Sequence, residues 1–168
     1  FKEIFSNKND QYSFNHILGV MIEFQHEFPL DDPTTSGNGL FLENLDIDFL
    51  AYDNISRCNK AILDPPPHNK NYFNNQIEAI SNYFKNISNN SIDLNYDVID
   101  SVYTASNYMR EYSYSENHLT ALYLEALELA SSEIEVYLIN NNVNIDEVLI
   151  VVFHSGLGQD IKAGIFDP

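Results

Sequence analysis

The chain of 168 residues has one cysteine, no tryptophan and only 8 lysines and arginines. A lone cysteine, Cys58, excludes an intrachain disulfide and any zinc site built from thiolates. The 8 basic residues face 25 acidic ones, a formal charge of −17. Phosphate binding is driven by cations that neutralise it, so nucleic acid is excluded as a partner class. The same repulsion disfavours an anionic membrane surface. No apolar run approaches the roughly 18–20 residues that span a bilayer, so no membrane insertion is expected. A basic segment followed by an apolar one, the mark of a signal peptide, is missing behind Phe1.

What is present is the material of a core. The chain is 44% hydrophobic, with 11 Tyr and 11 Phe, which excludes disorder for most of its length despite the charge. Residues 1–13 are polar and read as a peripheral segment, leaving 14–168 as the folded portion. Asparagine is abundant, and the sequons at Asn54, Asn86 and Asn89 follow from that abundance. The end at Ile165-Phe166-Asp167-Pro168, directly after an apolar stretch, reads as the end of a fragment.

Hydrophobic periodicity sets the expected order of elements. His16 to Phe24 is a short bulky run, read as the first strand. A long proline- and turn-rich connection follows over residues 26–68, with 45–52 as a short element inside it. Phe73, Ile77, Ile80, Phe84 and Ile87 repeat at helical spacing behind Asn69, a candidate N-cap, and His68 reads as a residue leading into that helix. Ile92, Leu94, Tyr96 and Val98 alternate with polar residues, which predicts a strand with one wet face. A second helix is expected from about Ser115 to Asn140. Leu119, Leu122, Ala126, Ala130 and Ile134 would be buried, and Glu125, Glu128, Ser132 and Glu135 would form a solvated stripe. Val148 to Phe153 is apolar on both faces, as expected of a central strand. The order strand, loop, helix, strand, helix, strand predicts an α/β fold: a small mixed, partly parallel sheet with two main amphipathic helices.

Chemistry would sit in the loop that leaves the last strand, because ligands of open α/β sheets collect beyond the carboxyl ends of strands. His154, Gly156, Gly158, Gln159 and Asp160 bring a base, two permissive glycines, an amide and a carboxylate into that loop. As a dinucleotide loop it fails, since Ile161 stands at the third glycine position. As an oxyanion strand of a serine hydrolase it lacks any Gly-x-Ser-x-Gly elbow in these residues. None of His16, His26, His68, His118 and His154 has a histidine four residues away, and Pro29 breaks the helix that His26-Glu27 would need to begin a zinc motif. A structural turn in which His154 bonds to backbone is the plain alternative. Asp31, Asp32 and Asn38 offer oxygen ligands to a hard cation such as calcium, but in turn-forming sequence without calcium-loop spacing. Tyr103, Tyr108, Tyr112 and Tyr114 either line a groove or pack between strand and helix.

Several segments in order resemble the N-terminal part of a secreted zinc metallopeptidase domain of the M6 type, the immune-inhibitor-A-like family. They are GVMIEFQ, DDPTTSGNGLF, DPPPHNKNYFNNQIEAISNYF, DLNYDVID, YMREYSY and VLIVVFHSGLGQD with IFDP after it. Members carry a similar His-Ala-Gly-x-Gly-Gln-Asp or -Glu loop, with Ser155 here in place of the alanine. Asn69 stands where the family pattern has Asp. The resemblance implies an extracellular endopeptidase acting on protein or peptide substrates through zinc. The family's His-Glu-x-x-His ligands lie C-terminal to this loop, and no such motif occurs in these residues. The chain would then supply scaffold, with a possible strand edge for substrate, to the remainder of its own catalytic domain. It would have no catalytic residue and no tight zinc site alone. The alternative is a non-catalytic α/β binding module using residues 154–160 for ligand contact.

Overall fold

A computed structural model describes residues 14–26, 38–42, 66–112 and 116–156. Residues 1–13, the element expected at 45–52, Asp31, Asp32, Tyr114, Gly158, Gln159 and Asp160 lie outside the described residues. The described part is an α/β structure. Strand β1 (His16–Glu23) leads to helix α1 (Lys70–Ile87) and then β2 (Asn95–Thr104). The short α2 (Met109–Tyr112), α3 (Glu116–Leu129) and α4 (Ser131–Asn141) follow. A single 3-10 turn (Ile145–Glu147) then leads into β3 (Val148–His154).

The sheet has the order β2-β1-β3, with both pairings parallel, so it is parallel rather than mixed among the described residues. His16 stands opposite Asn95 on one side and Val148 on the other. The first connection steps from β1 to β2, and the second steps back across β1 to β3. Connections that run in opposite directions with the same right-handed sense place their helices on opposite faces. One face packs Phe73 and Ile77 of α1 against Ile17, Met21 and Val98. The other packs Leu122, Ala126, Ala130 and Ile134 against Leu18, Val20, Ile22 and Ile99.

Local chemistry explains the element ends. Asn69 caps α1, its side chain accepting from the Tyr72 amide at 3.2 Å. His68 leads into that cap, its amide donating to Leu42 O at 2.7 Å while its ring rests on Tyr72. The apolar stripe of α1 is narrower than its spacing implies: Phe73 and Ile77 are buried, but Ile80 and Ile87 are exposed. Ser81 takes the next inward position, with its hydroxyl donating to Leu94 O. A helix advances 3.6 residues per turn, so 73, 77 and 81 share the sheet-facing line and 80 and 87 rotate off it.

Three further expectations are corrected. The second strand begins at Asn95, leaves Ile92 exposed, and is not wet on its polar face beyond Asp97. Ile99 is buried there, and Ser101 and Tyr103 donate to Glu133 of α4 at 2.5 and 2.7 Å. Burial first, and then the Glu133 hydrogen bond, push the Tyr103 phenol up to about 12, so it remains a donor. The long helix is two helices joined at Ala130, and Leu119, in the first turn of α3, is 58% exposed, because the buried line begins one turn later at Leu122. Lastly, β1 rather than β3 is central. The run Val148–Phe153 is apolar because both its faces meet a core cluster, Val148, Ile150 and Val152 on one side and Val151 and Phe153 on the other, although Leu149 at this edge is exposed.

Gly19 is where the layers come closest. A Cβ there would lie 2.8 Å from Val98 Cγ2 and 3.1 Å from Ile77 Cδ1 and from Phe153 Cε2. Gly19→Ala is expected to lower stability by about 1–3 kcal/mol through overpacking. Urea unfolding of the pair measures this, and an unchanged midpoint would contradict the packing described.

Candidate functional site

All three strands are parallel, so their carboxyl ends share one edge of the sheet, and the chain leaves each end into a loop that helps form one corner. The connections leave β1 in opposite directions, which puts the topological switch point, the place where α/β sheets take ligands, beyond the carboxyl ends of β1 and β3. The residues at this corner are Phe24 and Gln25 after β1, Ala105 to Asn107 after β2, His154 to Gly156 at the end of β3, and the segment around Gly39.

Hydrogen bonds tie these loops together. The Phe24 amide and the Ser155 hydroxyl both donate to Gly39 O, at 2.7 and 2.5 Å. The Ser155 amide donates to Ile22 O at 3.2 Å, carrying the β1–β3 ladder one residue past the strand. Gln25 binds the third loop twice, through its amide to Asn107 O and through Nε2 to Ala105 O at 2.8 Å. Gly39 and Gly156 have φ of +85° and +82°, the left-handed region that favours glycine. At Gly39 a side chain is barred by space as well, since a Cβ would lie 2.8 Å from Gln25 O.

The third loop is held by Glu125 of α3. Its carboxylate accepts from the Ser106 amide at 2.7 Å and from the Tyr112 hydroxyl at 2.5 Å. Partial burial alone would raise this carboxyl, but the bonds from Tyr112 and Ser106 outweigh it and hold the group below its usual 4.5. Glu125 is therefore not part of a solvated stripe, although Glu128 and Glu135 are exposed. The Tyr112 ring packs on Phe24, with centroids 5.6 Å apart, and Phe24 meets the His154 ring at 6.0 Å. Tyr103 and Tyr112 thus pack between sheet and helices, while Tyr108 lies outside under Arg110.

Of the residues singled out in the sequence, His154 and Gly156 stand at this corner. Asn38 is beside it, but its amide oxygen accepts from the Leu40 amide at 3.1 Å, the geometry of an ordinary Asx turn. Among the described residues no group of three or more His, Cys, Asp or Glu converges on one point. Gly39, Ser155, Gln25 and Glu125 were not singled out as site residues. The one local signal was the Asn38-Gly39 turn pair, since pairing between loops far apart in the chain leaves no periodicity. Comparison with protein-family models, curated proteins and solved structures finds no match to this chain. No described helix is long and apolar enough to cross a membrane.

Two measurements test the corner. Ser155→Ala is expected to cost about 1 kcal/mol for the lost hydrogen bond. Gly39→Ala should cost more, since it adds backbone strain to a steric clash. Equal stability of all three proteins in urea would refute the latch. The depressed Glu125 pKa predicts stability fully present above the unfolded value near 4.5 and lost as pH falls through the lower folded value. Glu125→Gln should flatten that part of the acid limb, and an unchanged pH profile would contradict it.

Proposed function

We propose that this chain is the N-terminal, scaffold-bearing portion of a secreted zinc-dependent endopeptidase domain of the M6 type, acting on protein or peptide substrates. The observation that carries the reading is the position of its most specific matching segment. His154-Ser155-Gly156 lies at the carboxyl end of a parallel strand beside the switch point, where sheets of this kind assemble their sites. The ordered likeness of the other segments supports it.

The described residues do not fit zinc, since no convergent set of three or four ligands is among them. No step of peptide hydrolysis is therefore assigned to this chain. Its role in this reading is mechanical. Gly39, Ser155 and Gln25 fix the strand ends against one another, so that a metal-binding element from the remainder of the domain has a rigid base. An extracellular location belongs to the same reading. The second reading is an α/β binding module without catalysis, and the switch point beyond the carboxyl ends of β1 and β3 favours it, because that position serves ligand binding whether or not chemistry follows.

The decisive experiment uses the full-length protein that carries this chain. Chelator-sensitive hydrolysis of casein, restored by zinc, is the expected result. A protein that neither binds zinc nor hydrolyses peptides would overturn the peptidase reading and leave the binding module. The 168-residue chain alone is expected to show no stoichiometric zinc uptake by calorimetric titration.

A further inference from the structure

The neutral ring of His154 is held in one tautomer and one orientation. Its Nδ1 lies 2.9 Å from the Ser155 carbonyl oxygen. A carbonyl only accepts, so Nδ1 carries the hydrogen and the neutral ring has its lone pair on Nε2. No described residue bonds that nitrogen, and the side chain is half-buried. The ring meets Phe24 edge-on, and Phe24 in turn packs on Tyr112, which Glu125 anchors. Fixing one ring nitrogen on a backbone carbonyl while the other stays open is how proteins aim an imidazole at a ligand.

The contrast with His16 is informative. That residue, 6% exposed at the opposite end of β1, has both nitrogens engaged, by the Tyr137 hydroxyl at 2.9 Å and the Asn95 amide at 3.4 Å. It is a satisfied core histidine. Among the described residues, His154 has such support on one side only.

We propose that His154 is a ligand-binding base at the β1–β3 switch point, its Nε2 accepting a hydrogen bond from an N–H or O–H group of an uncharged or cationic ligand. The choice of class follows from charge. Residues 111–156 contain no lysine or arginine, Arg110 of α2 pairs with Glu111 and lies over Tyr108, and the aromatic contacts behind the ring end on an ionised carboxylate, so the charge there disfavours an anion. The inference does not depend on zinc or on peptide hydrolysis.

The test uses the 168-residue chain and its His154→Asn variant, which keeps an N–H donor for the Ser155 carbonyl but has no counterpart to Nε2. Long-range nitrogen–proton NMR at mildly alkaline pH is expected to show His154 protonated on Nδ1. A protonated Nε2 would overturn the proposal. Diethyl pyrocarbonate, which transfers its ethoxycarbonyl group to an unprotonated imidazole nitrogen with release of ethanol and carbon dioxide, should modify His154 roughly tenfold faster than His16, where a hydrogen bond must first break. Modification at position 154 should be lost in the variant. Methylammonium and a capped dipeptide amide should shift the Nε2 resonance, and acetate should not. Equal modification of the two histidines, or a response to acetate alone, would refute the assignment.

Discussion

The position of β1 governs the structure. It is hydrogen-bonded to a parallel strand on each edge and covered by helices on each face, and its side chains from Ile17 to Ile22 are almost fully buried. Such a strand has no solvent in which to place a polar side chain, which accounts for the unbroken run Ile17-Leu18-Gly19-Val20-Met21-Ile22. Gly19 in that run is a matter of space rather than turning, because α1, β2 and β3 close on the point its side chain would occupy. Every other element is placed by reference to β1: α1 and the pair α3–α4 by its two faces, β2 and β3 by its two edges.

The same arrangement makes the corner. Parallel pairing sends the chain out of every strand at one end of the sheet, and opposite crossover directions put the switch point beside β1 at that end. The loops there are not joined by packing alone. Gly39 O collects two donors, Gln25 serves two backbone groups, and Glu125 ties the β2 loop to α3. A corner fixed by directional bonds keeps its shape whether or not a ligand is present, and such preorganisation is useful both to a binding module and to the base of an active site. The proposed base, His154, has its orientation from the carbonyl of the adjacent Ser155 and from the Phe24 ring, which this network holds in place.

Much of the fold was legible because its signals are local. The run 16–24, the helical spacing of Phe73 and Ile77, the Asn69 cap and the apolar 148–153 segment each follow from backbone geometry and the need to bury apolar surface. The errors share a cause. Leu119 and Ile87 sat in acceptable stripes and Glu125 in an acceptable acidic face, but the tertiary partners decide: Leu119 in the first turn of α3 and Ile87 at the end of α1 lie past the covered positions, and Glu125 meets Ser106 and Tyr112. Periodicity reports that a helix has an apolar side. It does not report where that side ends.

Hydrophobic spacing, a property of the chain before it folds, was enough for the α/β class and the order of the main elements. The sequence by itself also marked His154 and Gly156 as residues to watch. Only the tertiary structure decided that β1 is central, that Ser155 and Gly39 lock the corner, and that Glu125 is a structural acceptor. Hydrogen bonds between residues such as Gly39 and Ser155, 116 positions apart, depend on which strand lies beside which, and strand adjacency is settled by the packing of the whole.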